Sequence, residues 1–597
     1  MKDNGPSRIL FSAGCAVVLL LTIASFCPVL SAKFINWDDD LQVTDNPLVR
    51  SLSGGNIRKM FSGTLEGTYI PLTLLTHAIE YRSFGFEPFV YHLTNLVLHL
   101  GVVLLVWVFA RQCGLGVAAA GLGTLVFALH PLHVESVAWV TERKDVLYAF
   151  FYMLALILYG VYVRSGNRGA FAGSVLCGFL SVLSKSMAVS LPFVLLVCDW
   201  FWRRPITRRV FLEKIPFGLA LAPVAWITFS LHTGLFRAEA PLSALLAWVW
   251  TFMFYVSKFV FPWELVPMYV LPQPVAFSNP AYPLSLAAFG MLVSALLVFR
   301  RSRWFLFSVF FYTASIFFLL RVDLDPAAGV NLVADRFMYL PALGFCLLLG
   351  RGVELVLEDF QKQRKAAVTV VLLIGTLLVA ALAVQTNLQC RIWSDSLTFW
   401  NYTIAHTPQR ARPIDNAFCG RAFVHGKAGR YDLALADLNT AIAINPDRAK
   451  YYNNRGIIYD IRHEYNIALL DFSRALLLEP DFAEVYFNRA RVYSKFGRPK
   501  EALRDLALAI ALKPEWVEAY ERRAIMNYGI RNYGQALADF DRAIALNPER
   551  AAAYFNRGVT RQALGVPELA LADFLKAQSL GYKVEPALLE GLQKQNP

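Results

Sequence analysis

The stretch from Val90 to Ala110 reads VYHLTNLVLHLGVVLLVWVFA and contains no Asp, Glu, Lys or Arg. A helix needs about 20 consecutive apolar residues to cross a bilayer, so this stretch predicts a transmembrane helix. Similar runs recur through the first two-thirds of the chain and predict about eleven spans in all. We place them at residues 9–32, 90–110, 115–130, 146–163, 170–184, 187–202, 215–232, 282–299, 304–320, 337–355 and 367–388.

The composition agrees with an integral membrane protein. The 597 residues are 56% hydrophobic and only 17% charged, and the mean hydropathy is +0.44. The long apolar runs stop near Gln389–Trp393, and the chain beyond is densely charged. We therefore expect a transmembrane domain over 1–390, a linker over 391–414 and a soluble domain over 415–597. We interpret the first run, from Ile9 to Ala32, as an uncleaved span.

The basic residues predict the orientation of the spans. With eleven spans, the basic loops share one side with the N-terminus, which the positive-inside rule assigns to the cytoplasm. Counting residues 243–261 as a further span would break this pattern, so we interpret that segment as an interfacial or re-entrant helix. The soluble domain is then expected in the periplasm of a bacterium or the lumen of the endoplasmic reticulum. We favour a bacterial inner membrane.

The net charge of +13 does not predict a nucleic-acid partner. No basic run is interleaved with exposed aromatic residues, and the short basic loops are explained by membrane topology. The eight cysteines have neither disulfide nor metal spacing. The lipid bilayer is the expected partner of the first 390 residues.

A repeat of 34 residues is visible in the soluble domain. Pro446, Pro480, Pro514 and Pro548 are spaced by that period, which is typical of tetratricopeptide (TPR) repeats. Ala or Gly recurs where the two helices of such a repeat would cross. The pattern predicts an α-solenoid of about five repeats, the last of them a cap. Their boundaries are 415–448, 449–482, 483–516, 517–550 and 551–584.

Two charged columns run through the repeats, one of Arg and one of Asp. The arginines could form an anion-binding strip, but the equal numbers favour Arg–Asp pairs between helices. The columns are Arg421, Arg455, Arg489, Arg523 and Arg557, and Asp437, Asp471, Asp505, Asp539 and Asp573.

Asn454, Asn488 and Asn556 share the position just before the arginine. An amide can both donate to and accept from an extended peptide backbone. The asparagines could therefore line a groove for an acceptor polypeptide, or they could be ordinary polar surface residues. Both interpretations remain open.

Three polar segments lie between predicted spans. The first is FINWDDD over Phe34–Asp40. The second runs from HPLHVESVAW, beginning at His130, to ERKD over Glu142–Asp145. The third is ADRFMYLP over Ala334–Pro341.

These segments resemble the motifs of the transmembrane and TPR-containing (TMTC) family, and the resemblance extends over nearly the whole chain, including the domain order. Leu183–Val189 is also similar, although Ser186 stands where the family usually has an acidic residue. The resemblance implies a polytopic, all-α, C-type glycosyltransferase (GT-C) fold. It further implies transfer of mannose from a polyprenyl-phosphate carrier to Ser or Thr of proteins on the non-cytoplasmic face. The small number of repeats suggests a bacterial relative.

By analogy with the first-loop acid of GT-C enzymes, Asp38 or Asp39 is the expected base. It would accept the hydroxyl proton during an inverting attack on the anomeric carbon. The three adjacent aspartates could instead form a solvated turn, or Asp38 and Asp40 could hold a divalent ion. We do not favour a metal, and no cofactor is expected beyond the lipid-linked sugar.

The leaving lipid phosphate needs cations, and the candidates are Arg336, Arg143, Lys144, Lys185 and Arg321, although any one could simply reach toward headgroups. His133 and Glu135 are expected to orient the second loop. Asp145 could orient the donor sugar or pair with a cation. Asp335 adjoins Arg336 in the third segment and is expected to help orient the site.

Two other functions remain open. The chain could be a non-enzymatic, membrane-anchored TPR scaffold, although a single span would suffice as an anchor. It could also be a GT-C enzyme that acts on a glycan or lipid, although TPR repeats usually bind polypeptide.

Overall fold

The computed structural model describes residues 5–65, 67–231, 241–317, 333–360, 365–408 and 413–595. Within these ranges the regular structure is helical, and the only β-type pairing is an isolated bridge between Leu65 and Thr68. The predicted all-α class is therefore confirmed. The chain forms two compact units, Met1–Gly420 and Arg421–Pro597.

The first unit contains long apolar helices joined by short helices and turns. Pro71 and Pro88 each stand at a helix start, where the missing N–H costs no hydrogen bond. The described helices are Gly5–Phe26, Gly54–Ser62, Pro71–Phe84, Pro88–Gln112, Val117–Leu129, Val134–Ala138, Arg143–Ser165, Arg168–Ser184, Leu191–Phe201, Arg208–Leu212, Ile215–Leu231, Pro241–Val260, Ala281–Val298, Arg303–Ile316, Ala342–Phe360, Lys365–Ile392 and Ser396–His406.

Seven helices in the described ranges are long and apolar enough to cross a membrane, or eight if a bent pair is one span. The bent pair is Val117–Leu129 with Pro131–Ala138. The predicted spans 170–184 and 187–202 fall on apolar helices shorter than 18 residues. A polytopic membrane protein is thus confirmed, while the number eleven stays a prediction. The seven are Ala13–Ser31, Pro88–Gln112, Val140–Ser165, Arg208–Ser230, Pro241–Val260, Ala281–Val298 and Leu372–Ile392.

The segment predicted to be interfacial or re-entrant, 243–261, is the helix Pro241–Val260. Its length and composition also suit a full span. One face is buried, and the Tyr312 hydroxyl donates to the Phe252 carbonyl at 2.7 Å. The helix is therefore packed into the bundle, and its membrane placement stays a prediction.

Small residues allow two helices of the first unit to approach closely. A Cβ atom added at Gly123 would lie 2.8 Å from the Cys346 carbonyl oxygen. One added at Gly350 would lie 2.8 Å from the Ala119 carbonyl oxygen. Helices Val117–Leu129 and Ala342–Phe360 are thus in backbone contact, as is common where small residues face each other in membranes.

The second unit is a series of helical hairpins with the predicted period. This arrangement confirms the TPR solenoid. Helix Pro413–Lys427 begins the first repeat, and the others are Tyr431–Ile444, Ala449–Ile461, Tyr465–Leu478, Ala483–Lys495, Pro499–Leu512, Val517–Gly529, Tyr533–Leu546, Ala551–Ala563, Pro567–Ser579 and Pro586–Gln595.

The arginine and aspartate columns pair within each repeat. In the third repeat, Arg489 donates through Nε and Nη2 to the two carboxylate oxygens of Asp505 at 2.7 and 2.8 Å. The same two-bonded pair joins the first helix to the second in the other four repeats. The interpretation as interhelical pairs is therefore confirmed. These arginines are occupied and do not form an open anion-binding strip.

The small residue after each arginine has a packing role. A Cβ atom at Gly456 would lie 2.8 Å from the Phe472 ring, and one at Gly558 would lie 2.8 Å from the Phe574 ring. In contrast, a Cβ atom at Gly534, also in a TPR helix, would meet nothing within 4 Å. Gly456 is thus required by close helix crossing, whereas Gly534 is not.

We predict opposite effects of alanine at these two glycines. Gly456→Ala should destabilise a fragment of residues 413–597 by about 1–3 kcal/mol, because the ring of Phe472 must shift. Gly534→Ala should stabilise it by up to about 1 kcal/mol, because alanine favours the helix. Urea unfolding followed by far-ultraviolet circular dichroism measures both. Equal stabilisation by the two variants would contradict the packing argument.

Candidate active site

Four breaks between helices of the first unit meet in one place. They are the loop 34–40, the turns of 130–142, the turn 185–190 and the turn 334–341. Ion pairs and hydrogen bonds join them, as described below. The motifs predicted from the sequence are thus neighbours in space, although they are far apart along the chain.

Asp39 ties the first loop to the second. It is fully buried, and its Oδ2 accepts from the Ile35 N–H at 2.8 Å. Its Oδ1 accepts from the backbone N–H and the hydroxyl of Thr141 at 3.0 and 2.6 Å. Burial outweighs these hydrogen bonds and raises the pKa of Asp39 to about 7. Both carboxylate oxygens are occupied by internal contacts.

Asp38 has a different environment. Its side chain is half-buried and makes no hydrogen bond in the part of the chain that the structure describes. Burial raises the pKa of Asp38, Lys144 and Arg336 act to lower it, and Glu142 and Asp40 act to raise it. Asp38 is thus an available carboxylate that lies near cations.

Glu142 is the centre of an ionic cluster. Its Oε1 lies 3.0 Å from Lys144 Nζ and 3.3 Å from Arg336 Nε, and its Oε2 lies 3.3 Å from Lys185 Nζ. The side chains of the three cations are 10, 16 and 11% exposed, respectively. One carboxylate therefore gathers cations from three separate segments.

Asp145 holds one of these cations. It is fully buried, accepts from Lys185 Nζ at 2.5 Å and accepts from the Ser136 hydroxyl at 3.1 Å. The structure thus places Asp145 in a pair with a cation, one of the two roles expected from the sequence.

Glu135 and Asp335 flank Arg336 on different sides. Glu135 accepts from the backbone N–H of Arg336 at 3.0 Å and also pairs with its guanidinium group. Asp335 is buried and accepts from the Tyr269 hydroxyl at 2.7 Å. Burial and the nearby Glu135 raise the pKa of Asp335 well above its usual value. The guanidinium of Arg336 also lies over the rings of Trp139 and Phe337.

Arg143 lies apart from the other three cations. It is fully buried and pairs with Glu80, and it donates to Asn95 Oδ1 and to the Tyr91 carbonyl oxygen, each at 2.8 Å. Although burial opposes ionisation, His77 and Arg143 hold the pKa of Glu80 below its usual value. Arg143 thus joins three helices and leaves no N–H group directed at the cluster around Glu142.

His133 is also separate from the ionic cluster. It is fully buried, and its Nδ1 lies 2.7 Å from the Phe127 carbonyl oxygen. Its ring packs against Tyr339 with 4.8 Å between the centroids. His133 therefore contacts both the second and the third segment through packing. Arg321 lies outside the described residues.

Aromatic residues pack against the first loop. Trp37 stacks on Trp139 at 4.5 Å between ring centroids, and Trp139 stacks on Trp393 at 5.6 Å. Trp400 Nε1 donates to Asn36 Oδ1 at 2.8 Å. Residues 393–400, which follow the last candidate span, thus pack against the loop that carries Asp38.

Two charged residues of the site were not singled out from the sequence, Glu142 and Glu80. Glu142 stands inside the quoted ERKD segment, so the alternation of charges there was an available signal. Glu80 lies in an apolar helix, PLTLLTHAIEYRSF, where a lone carboxylate signals a buried partner. Its partner could not be inferred, because Arg143 lies far along the chain.

No group of three or more His, Cys, Asp or Glu side chains in the described ranges is arranged to hold a metal ion. In the first loop, Asp39 accepts hydrogen bonds from Ile35 and Thr141, and Asp40 accepts one from the Leu41 N–H.

Asn454, Asn488 and Asn556 of the TPR unit are half-buried. Asn488 Nδ2 donates to Asn453 Oδ1 at 3.0 Å, and Asn453 Nδ2 donates to Asn454 Oδ1 at 3.4 Å. Neighbouring repeats are thus connected by amides along the face where Asn454, Asn488 and Asn556 lie.

Family models match the second unit. A TPR repeat model covers residues 424–460, and tetratricopeptide repeat models cover residues 483–515 and 527–581. Among solved structures, the crystal structure of YrrB, "a TPR protein with an unusual peptide-binding site", is 22% identical. The match covers 33% of this chain and 97% of YrrB, with a TM-score of 0.28.

Curated relatives match different shares of the chain. Protein O-mannosyl-transferase TMTC4 of Homo sapiens is 31% identical over 194 residues, which are 29% of this chain and 26% of that protein. A protein O-mannosyl-transferase of Caenorhabditis elegans is 23% identical over 452 residues, 69% of this chain and 60% of the relative. Protein O-mannosyl-transferase Tmtc3 of Drosophila melanogaster is 24% identical over 484 residues, 65% and 50% of the two chains. The chain thus covers less than two thirds of each relative's length.

The two longer matches cover 69% and 65% of this chain, which is more than the repeat unit alone could account for. Together with the apolar helices they support an integral membrane protein. The family predicted from the three polar segments is therefore confirmed: this chain is a relative of the TMTC protein O-mannosyl-transferases.

Proposed function

We propose that the chain is an inverting GT-C glycosyltransferase. It transfers a sugar, which the relatives' names suggest is mannose, from a polyprenyl-phosphate carrier to Ser or Thr of exported proteins. The named activity of the relatives supports protein O-mannosylation. The observation that carries the proposal in this chain is the Asp38 carboxylate, which has no hydrogen bond in the described ranges and lies near Lys144 and Arg336.

Asp38 is our proposed base. A Ser or Thr hydroxyl is a poor nucleophile, so a carboxylate must accept its proton as the oxygen attacks the anomeric carbon. Asp39 is less suited to this task, because both of its oxygens accept hydrogen bonds from Ile35 and Thr141. We assign Asp39 the role of holding the loop, so that Asp38 faces the cations.

Lys144, Lys185 and Arg336 are our proposed phosphate-binding residues. Negative charge develops on the lipid phosphate as the glycosidic bond breaks, and cations in a partly buried site stabilise it strongly. All three side chains are mostly buried yet retain exposed area. Arg143 is fully enclosed by other partners, so we assign it a positioning role beneath the site.

Neighbouring acids orient these cations. We propose that Glu135 fixes Arg336 and that Asp145 fixes Lys185. Asp335 holds the same turn through Tyr269, and His133 packs the second loop against Tyr339. Such supporting contacts matter because small displacements of catalytic groups reduce rates steeply.

The TPR unit is our proposed acceptor-binding part, through Asn454, Asn488 and Asn556. Amides can bind a peptide backbone regardless of its side chains, which suits an enzyme with several substrates. This function places the site and the repeats on the non-cytoplasmic side, in the periplasm or the lumen, with the N-terminus in the cytoplasm.

Asp38→Asn should abolish sugar transfer while the protein still folds. We expect the rate to fall by about 10²–10⁴-fold, because the amide cannot accept the proton. Asp45→Asn, an exposed aspartate near the same loop, is the matched control and should remain active. Glycopeptide mass spectrometry of exported proteins, in cells carrying each variant, measures the effect. Full glycosylation by Asp38→Asn would remove Asp38 from the mechanism.

Asp39→Asn should act on stability instead. The amide nitrogen that replaces one carboxylate oxygen cannot accept, so either the Ile35 N–H or the two Thr141 donors lose their acceptor. An unpaired buried donor costs about 1–3 kcal/mol. The pKa of Asp39 is raised to about 7, above its unfolded value of about 4, so the protonated carboxyl stabilises the folded state at low pH. That contribution is lost as the pH rises through 7. The difference in Tm between the native protein and the variant should therefore shrink between about pH 4 and pH 7. A difference that grows over this range would contradict the assignment.

Lys144→Gln and Arg143→Gln should separate phosphate binding from folding. Lys144→Gln leaves Glu142 paired with Lys185 and Arg336, so Tm should change little while KM for the lipid donor rises. Arg143→Gln leaves Glu80 buried without its ion partner, which costs about 3–5 kcal/mol and lowers Tm. Thermal unfolding and steady-state kinetics in detergent measure the two effects. The reverse pattern would show that Arg143, not Lys144, binds the donor.

A further inference from the structure

We propose that the Glu142 carboxylate competes with the lipid phosphate for Lys144, Lys185 and Arg336, and thereby limits how tightly the carrier is held. The inference rests on the proposed function, since that function places the phosphate at these cations. It gives Glu142 a role of its own in carrier binding and release.

The geometry shows that the cations are shared through one acid. Among the described residues, Glu142 is the one carboxylate that lies within 3.3 Å of all three cations. Its side chain is 2% exposed. A phosphate that approaches the exposed edges of Lys144, Lys185 and Arg336 therefore meets nitrogen atoms that already bind Glu142.

The charge balance makes this competition costly for the phosphate. Three cations face the carboxyl groups of Glu135, Glu142 and Asp145, and Asp38 adds a further acid nearby. A bound phosphate brings further negative charge into a cluster that already contains these acids. Repulsion between like charges weakens its binding, and the largest share comes from the acid in contact with all three cations.

The other two acids are less able to compete. Asp145 is also bound by the Ser136 hydroxyl, and Glu135 also accepts the backbone N–H of Arg336. Each is therefore fixed to its own segment by a neutral donor. For Glu142 the structure describes side-chain contacts with the cations themselves.

Such competition would serve turnover. An enzyme that binds the carrier phosphate equally in the substrate and in the transition state lowers KM without raising kcat. Tight binding of the spent carrier also slows product release. A built-in anion that returns to the cations after transfer would help the spent carrier leave.

The sign of one mutational effect tests the inference. If Glu142 only positioned the cations, removing its charge would loosen them and weaken phosphate binding. If it competes, Glu142→Gln should bind phosphate more tightly, because the amide keeps the shape and loses the charge.

Binding of farnesyl phosphate to the full-length protein in detergent is the measurement, with farnesol as the uncharged probe. We expect Kd for farnesyl phosphate to fall by about ten-fold in Glu142→Gln, and binding of farnesol to stay unchanged. An unchanged or higher Kd, with Tm retained, would overturn the inference.

Glu213→Gln is the matched control. Glu213 also accepts from cations and a tyrosine, with Arg204 Nη2 at 2.8 Å and the Tyr162 hydroxyl at 2.7 Å. Tyr162 lies about 25 Å from Asp145 along the helix they share, so Glu213 is remote from the site. Its Kd for farnesyl phosphate should match the native protein. Equally tighter binding of farnesyl phosphate by both variants would show that the effect comes from net charge alone, and it would overturn the inference.

A second variant covers the case in which Glu142→Gln does not fold. Glu142→Asp keeps the charge but withdraws it by one methylene, so a smaller tightening is expected, and its absence would overturn the inference. If the native protein binds no farnesyl phosphate at all, the proposed lipid-phosphate donor fails together with the inference. If it binds and neither variant binds more tightly, only the inference fails.

Discussion

The carboxylate of Glu142 connects segments that the chain places far apart. Charges buried in a membrane protein must be paired, because burying an unpaired ion has a large free-energy cost. Lys185 and Arg336 lie in two different breaks between helices, and Lys144 lies in the first turn of helix Arg143–Ser165. Each of the three forms an ion pair with Glu142. The need to pair these charges brings the breaks together, and the rest of the candidate site follows from that meeting point.

The first loop is attached to this centre by a second kind of contact. Asp39 accepts three hydrogen bonds that fix residues 35–39 against Thr141, which is adjacent to Glu142. Trp37 stacks on Trp139 from the other side of the loop. With both neighbours anchored, Asp38 has little freedom to turn away from Lys144 and Arg336. The segment after the last candidate span adds a third attachment, through Trp400 and Asn36.

Much of the fold could be predicted from periodicity, because apolar length and a 34-residue repeat are properties of the sequence itself. The Arg–Asp pairing of the repeats was also predictable from the equal numbers in the two columns, although the sequence left open whether each pair lies within one repeat or joins neighbouring repeats. The candidate site was harder to predict from the sequence. Asp38 and Asp39 are equivalent in the sequence, and they are distinguished in the structure by the burial of Asp39 and by its donors, Ile35 and Thr141. Arg143 and Lys144 are likewise adjacent, yet one residue of a helix turns the side chain by about 100°, and this directs Arg143 to Glu80.

The two kinds of ion pair in this protein differ in a way that bears on function. In the repeats each Arg binds the Asp 16 residues later through two parallel hydrogen bonds, and Arg557 also binds Asp541. The two-bonded geometry satisfies both groups and resists change. In the cluster around Glu142, one carboxylate serves three cations, and no cation is satisfied by it alone. A further anion gains little by approaching the Arg–Asp pairs of the repeats, because each Arg already binds both carboxylate oxygens of its Asp. Such an anion can join the cluster around Glu142, because the contacts that the cations share there can be redistributed. Shared, incompletely satisfied cations are therefore the feature that separates the candidate site from the ion pairs that only hold helices together.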